Sequence, residues 1–326
     1  MAAELAAGAL AGGVFGYVLQ RGQHCFHATF RGALEHRWGL AKAWLLAVAI
    51  GAVGLALVYT LSPWDQLSRG LAFRPVDNVV GGLVFGAGMA VAASCVSGLW
   101  YKLGAGMIGA GVGLAAWAVG DVVGSGLPAL GPTLLPGGDA ATVPGVLGLP
   151  RLAVAGLLLL VVLVLLARTR RDAPTRSWQW SWPLAGSALG LGLVVTWLAA
   201  GAAGTGFGAS TTGAASGLVA GSPAWWRIAF LVAIVVGAAL AAGTAGGWWL
   251  RSEHRSRYAG LLAGGFLLGL GAQVAGGCNL GHALSGVAQM NVSSLVVVAA
   301  MTSGIAGVRR LQRRAPDPSD QPRASA

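Results

Sequence analysis

Three cysteines occur in the 326 residues, and each stands where an apolar run gives way to small and polar residues. The neighbourhoods read Gln20-Arg21-Gly22-Gln23-His24-Cys25-Phe26-His27, Ala92-Ala93-Ser94-Cys95-Val96-Ser97-Gly98 and Gly276-Gly277-Cys278-Asn279-Leu280-Gly281-His282. A thiol can fill space, pair as a disulfide, ligate a metal, attack as a thiolate or face a polarizable ion. An odd count and differing expected depths argue against a disulfide. His24 and His27 flank Cys25 as a conceivable His-Cys-His ligand set, but no second ligand pair stands near, so no metal or other cofactor is expected. A nucleophilic thiolate wants a base or cation beside it. His24 or Arg21 could serve Cys25, whereas nothing comparable flanks Cys95 or Cys278, so the chain is not read as an enzyme. No phosphate-binding glycine loop is present, so ATP-driven transport by this chain alone is unsupported. What remains is a neutral thiol that fills space or faces a path, and three at equivalent positions of a repeat favour the path.

The elements that hold these thiols must lie in lipid. Hydrophobic residues make up 56% of the chain and charged ones 10%, with a mean hydropathy of +0.71, against about 25% charge in soluble domains. The expected class is all-α integral membrane. Nine apolar runs approach the length of a crossing, near 4–20, 43–61, 78–94, 103–124, 148–167, 182–200, 225–246, 258–275 and 291–308. With the N-terminus outside, the segments 21–42, 95–102, 168–181, 247–257 and 309–326 face the cytoplasm, and they hold 17 of the 21 Lys and Arg, as retention of basic residues inside requires. The net charge of +11 is thus a topology signal, and no nucleic-acid partner is expected. No cleaved signal is expected, because Met1 to Ala7 carries Glu4 and no base. Tryptophans at 38, 64, 178, 180, 182, 225, 226, 248 and 249 fit interfacial belts. The polar stretch 315–326 reads as a disordered cytoplasmic tail after one transmembrane domain, 1–314.

An internal repeat arranges the cysteines. Gly81 to Gly98, with Cys95, aligns without gaps on Gly264 to Gly281, with Cys278, at an offset of 183 residues. A looser copy precedes Cys25, because Gly16, Gly86 and Gly269 each stand nine residues before a cysteine, and Gln20 and Gln273 each stand five before one. The same offset carries Cys25 onto Gly208, in a fourth segment, 203–214, that lacks cysteine. Repeat 1 (about 4–124) and repeat 2 (about 182–308), joined by one helix near 148–167, would then lie inverted in the bilayer, with a site near the midplane. The four segments are expected as short re-entrant elements meeting in an hourglass-like path, since unwound backbone at that depth needs protein or water around it.

Gln20-Arg21 followed by Cys25-Phe26 and Phe30-Arg31, Ser94-Cys95 with Gly98, and Gly277-Cys278-Asn279-Leu280-Gly281-His282 with Leu284-Ser285-Gly286 resemble the YeeE/YedE sulfur-transport proteins over nearly the whole chain. That resemblance implies import of thiosulfate, or a similar small sulfur anion, across a bacterial-type inner membrane, and a small TusA-like sulfur carrier as cytoplasmic partner. The lining suits such an ion, because thiols face its soft sulfur while amides and hydroxyls receive its oxygens. The expected path residues are Gln20, His24, Cys25, Ser94, Cys95, Ser97, Gly98, Gln273, Gly277, Cys278, Asn279, Gly281 and His282, with cargo passing from Cys278 to Cys95 and out past Cys25. A permease for sulfite or a selenium species, a sulfur-transfer protein using a cysteine persulfide, and a non-transporting scaffold are the alternatives.

Overall fold

In hydrocarbon the backbone has only its own partners, and for a chain with these apolar runs the helix supplies them. The computed structural model describes residues 1–169 and 176–314, and no strand is present among them. In chain order the helices are α1 (Ala2–Gly22), α2 (Phe26–Leu34), α3 (Gly39–Leu61), α4 (Pro75–Ala92), α5 (Val96–Gly104), α6 (Ile108–Ser125), α7 (Val143–Leu147), α8 (Arg151–Ala167), α9 (Trp182–Ala202), α10 (Ala214–Val219), α11 (Trp225–Thr244), α12 (Arg255–Ala275), a π-helix (Leu280–Gly286) and α13 (Val292–Arg314). Among the described residues, eight stretches are long and apolar enough to cross a membrane, and α8 is a shorter apolar helix of 17 residues. The chain is an all-α, multi-pass integral membrane protein. The tail expected at 315–326 lies outside the described residues.

Two readings of the sequence need correction. The run expected at 103–124 is not one helix, because Gly106 (φ 92°) breaks it and α6 begins only at Ile108. Trp226, expected at the interface, is 3% exposed and stacks on Phe230 at 6.3 Å, and Phe15 lies 5.7 Å from the same Phe230 ring. Leu157, Leu160 and Leu163 of α8, by contrast, are exposed and form a lipid-facing surface.

Helices in lipid gain little from hydrophobic association and rely on close backbone approach at small residues. Here glycine supplies it. A Cβ on Gly16 would overlap the Ile234 carbonyl oxygen of α11, one on Gly86 the Met301 oxygen of α13, and one on Gly269 the Trp117 oxygen of α6. The glycine nine residues before each cysteine is therefore where its helix seats against a neighbour. Gly86→Leu and Gly269→Leu are expected to prevent accumulation of folded protein in the membrane. Gly13→Leu, at an open position of α1, should accumulate normally, and immunoblots of membrane fractions give the comparison.

Helices α4 and α12 cross antiparallel. Gly81 meets Ala275 while Gly264 meets Ala92, and Gly88 meets the Gly264 oxygen at 2.9 Å while Gly271 meets the Gly81 oxygen at 2.9 Å from their Cβ positions. These contacts are reciprocal under the 183-residue offset. Helices α4 with α13 and α12 with α6 pack likewise, through Gly86 and Gly269.

The loops gather on two faces. On one, Trp180 N–H bonds the Arg21 oxygen, Ile108 N–H the Arg251 oxygen, and Trp248 Nε1 the Gly104 oxygen. This basic face is closed by Glu35, which accepts from Arg31 Nε at 3.1 Å and also pairs with Arg37 and with Arg309 of α13. The Arg31 hydrogen bond, helped by the other two arginines, holds the Glu35 carboxyl down at about 2. A depressed carboxylate contributes stability above its unfolded value, about 4.3, and loses it as pH falls through its folded one. Glu35→Gln is therefore expected to lower the melting temperature at pH 7, with the difference from wild type shrinking as pH is taken below 4 towards 2. On the opposite face, Arg151 donates to Asp139 at 2.8 Å and lies 4.9 Å from the Tyr59 ring centre.

Candidate functional site

One local device recurs at all three cysteines. Gln23 (φ 50°), Ala93 (φ 48°) and Gly276 (φ 78°), each two residues before a cysteine, are left-handed helix ends. The next N–H then reaches back five residues, from His24 to the Leu19 oxygen, from Ser94 to Met89 and from Gly277 to Ala272. This closure satisfies terminal carbonyls and turns the chain sharply. The cysteine oxygen then starts the following short element, accepting from Thr29, Leu99 or His282 N–H respectively. Only the third position is glycine, so sequence alone shows the turn there and hides it at Gln23 and Ala93.

On the basic side the structure brings two thiols together. Cys25 Sγ lies 3.5 Å from Cys95 Sγ, and both are free. The depth argument against a disulfide does not hold for this pair, since both thiols come from turns on one face. Cys95 Sγ also accepts from Gly98 N–H at 3.2 Å and meets Ser97 Oγ at 3.4 Å. Gly98 has no side chain because three groups crowd it: a Cβ there would lie 2.6 Å from Ser94 Oγ, 3.0 Å from Cys25 Sγ and 3.1 Å from Cys95 Sγ. Lys102 reaches back from α5 to donate to Ser94 Oγ at 2.9 Å and stands within electrostatic reach of Cys25. Lys102 thus brings to Cys25 a cation that the residues flanking the cysteines in sequence do not show, from eight residues beyond Ser94.

His24 is 1% exposed, packs edge-on against Phe26 at 5.1 Å, and has no partner for either ring nitrogen. Gln20 Oε1 is likewise buried without a partner. Among the described residues no three His, Cys, Asp or Glu side chains come together as a metal site. Beside the pair, a cavity of about 470 Å³ opens between His27, Arg31, Arg37, Gly39 and Ala93.

Towards the other face, Ser97 Oγ accepts from Asn279 Nδ2 at 2.8 Å, which links the turn after Cys95 to the residue after Cys278. Cys278 Sγ accepts from Thr211 N–H at 3.3 Å. Cys95, Ser97, Cys278, Asn279 and Thr211 are all 0% exposed. The expected residues around Cys278 divide. Asn279 is in the chain of contacts, and Gly281 is covered by Ser210, whose Oγ lies 3.7 Å from its Cβ position.

Gly277 carries the ring of His282, 2.8 Å from its Cβ position. His282 is a staple: Nε2–H donates to the Ala275 oxygen at 3.1 Å, which leaves Nδ1 to accept from Ser294 Oγ at 2.9 Å. Gln273 does not reach a thiol either. Its Nε2 donates to Asp121 Oδ1 at 2.8 Å and meets Ser216 Oγ at 3.1 Å.

Asp121, missed in the sequence, is 0% exposed and also accepts from the N–H groups of Gly213, Ala215 and Ser216 at 2.9 to 3.1 Å. A signal existed, since a lone carboxylate inside an apolar crossing run is costly and is kept only with partners or a role. A cavity of about 130 Å³ lies on this face, lined by Arg74, Asp77, Asn78, Ala275, Gly276 and His282.

A buried file of thiols, a hydroxyl and an amide between two cavities belongs to a chain whose residues 21–307 match the profile of a family described as sulphur transport. The chain belongs to that sulphur-transport family. Similar to it are the proteins named Thiosulfate transporter TsuA of Spirochaeta thermophila, 32% identical over 310 residues (88% of this chain, 92% of the relative), and of Escherichia coli K12, 26% identical over 332 residues (94% of each). A shorter match, 30% over 89 residues, joins 27% of this chain to 21% of the probable transporter YedE of Escherichia coli K12. All three cysteines of this sulphur-transport family member fall inside the matched span.

Proposed function

We propose that this protein carries thiosulfate across a bacterial-type inner membrane by passing it between thiols, from Cys278 to Cys95 and out past Cys25. The observation that carries the reading is the buried file: Cys25 Sγ to Cys95 Sγ at 3.5 Å, on to Ser97 Oγ at 3.4 Å, and to Asn279 Nδ2 at 2.8 Å, on the residue that follows Cys278 in the chain. Soft sulfur at three points suits the terminal sulfur of the ion, and amide and hydroxyl groups between them suit its oxygens. The name of the similar Spirochaeta thermophila and Escherichia coli proteins points the same way.

Nine crossings, with α8 as the ninth, and two inverted halves of about 4–124 and 182–308 give the path its two-sided form. The reciprocal antiparallel contacts of α4 and α12 support the inversion. The basic face lies in the cytoplasm with the N-terminus outside, as retention of Lys and Arg favours, and a TusA-like sulfur carrier collects the product there.

Uptake of labelled thiosulfate by cells lacking their own importers, compared for wild type, Cys25→Ala, Cys95→Ala and Cys278→Ala at matched membrane abundance, tests the reading. Wild-type uptake that all three variants retain would sink the thiol path. Lys102 favours a second reading, in which a thiolate of Cys25 takes the sulfane sulfur as a persulfide and sulfite leaves. Thiosulfate labelled separately on its two sulfurs separates the readings: carriage delivers both labels in equal amounts, transfer does not.

A further inference from the structure

The two ends of the buried file differ in chemistry. Cys95 faces a second thiol, whereas Cys278 faces the segment that lacks cysteine, where the position equivalent to Cys25 is Gly208 and Thr211 supplies the contact instead. We infer that Thr211 and Thr212, with Arg227, form a separate seat for the oxygen end of the anion, while Cys278 receives its sulfur. This inference rests on the transport reading and assigns selectivity to one end of the path.

Three observations support the seat. Thr211 is 0% exposed, yet Thr211 Oγ1 and Thr212 Oγ1 are both buried without a partner, and such hydroxyls cost free energy unless something fills the place beside them. The Thr211 N–H touches the Cys278 sulfur at 3.3 Å, so the residue that carries the orphan hydroxyl is packed against the thiol. Arg227 brings a cation: its Nη1 lies 3.0 Å from the Cβ position of Gly213, and its charge reaches Cys278.

Asp121 lies within electrostatic reach of Arg227 as well, but no ion pair joins the two among the described residues. Both its oxygens are occupied by the N–H groups of Gly213, Ala215 and Ser216 and by Gln273, so its part is to hold the segment against Cys278. A tetrahedral ion with one sulfur and three oxygens matches a thiol opposite hydroxyls and a guanidinium. Sulfate does not, because a fourth oxygen would sit desolvated against the weakly donating thiol.

Two measurements on the full chain test the seat: the KM of labelled thiosulfate uptake in cells with sulfate as competitor, and the melting temperature of the purified protein with thiosulfate or with sulfate. The expected result is stabilisation by thiosulfate beyond that by sulfate. Thr211→Val should lose this and raise KM about tenfold or more, the worth of one hydrogen bond to a charged ligand, and Thr211→Ser should restore both. A Thr211→Ser as impaired as Thr211→Val would reveal packing and overturn the seat, as would a Thr211→Val indistinguishable from wild type.

Should Thr211→Val fail to reach the membrane, Arg227→Gln carries the same expectation and the same refutation. Wild type without uptake but with the thiosulfate shift would refute carriage and keep the seat. Wild type without either, or stabilised equally by sulfate, would refute the seat.

Discussion

Cys95→Ala is expected to cut thiosulfate uptake by about 10- to 100-fold, the range for losing one hydrogen-bonding group to a charged ligand. Cys95 has the most partners in the file, with Cys25 Sγ, Ser97 Oγ and Gly98 N–H all within 3.5 Å of its sulfur. Removing the sulfur leaves a gap between Cys25 and Ser97 that no neighbour can close, since each is fixed to a different turn. The cost to the fold is small, on the order of 1 kcal/mol for one buried atom. Membrane abundance should therefore hold while uptake falls. Cys95→Ser, which keeps a hydroxyl at nearly the same place, should recover only part, because oxygen lacks the polarizability that meets a soft sulfur. Unchanged uptake by Cys95→Ala at equal abundance would remove the thiol hand-over at its central step.

Gly98→Ala is the second large effect, and its value is that stability and transport should move apart. Gly98 lies in the first turn of α5, where alanine is a better helix former than glycine by about 1 kcal/mol. Its new Cβ would press on Ser94 Oγ, Cys25 Sγ and Cys95 Sγ, at 2.6, 3.0 and 3.1 Å. All three are side-chain tips that can shift without moving a helix, so the chain should fold with a melting temperature equal to wild type or higher. The two thiols would be pushed out of register, and uptake should fall by about tenfold, equivalent to roughly 1.4 kcal/mol. A variant that melts early and transports in proportion to its abundance would instead mark Gly98 as a packing position.

The crossing helices were legible because uninterrupted apolar runs leave few alternatives to a helix in lipid, and the equivalence of the cysteine segments was legible because three copies share a spacing from a glycine, although only Gly276 marks its left-handed turn. Less visible was the division of labour inside each copy. Gln273 shares its position with Gln20, yet one clamps Asp121 and the other has a buried unpartnered oxygen. A repeat preserves backbone placement, and partners on neighbouring helices then decide what each side chain does. His282 reads as a path residue by its neighbourhood but spends both nitrogens on Ala275 and Ser294. Lys102 escaped notice because its long stem lets a charge placed eight residues away return to Ser94, and Thr211 because its significance lies in facing Cys278, 67 residues distant. The break at Gly106 was hidden by apolar residues on both sides of it.

The file between the two faces is closed to outside solvent, with Cys95, Ser97, Asn279 and Cys278 each wholly buried. A cell membrane stores energy as ion gradients, and any standing column of water through it would drain them. Wholly buried side chains in van der Waals contact leave little room for such a column, and a thiol is a poor link for a proton wire because it donates weakly. Under the proposed carriage, the same contacts would offer cargo a succession of resting places and insulate the membrane between passages, each ion displacing them briefly.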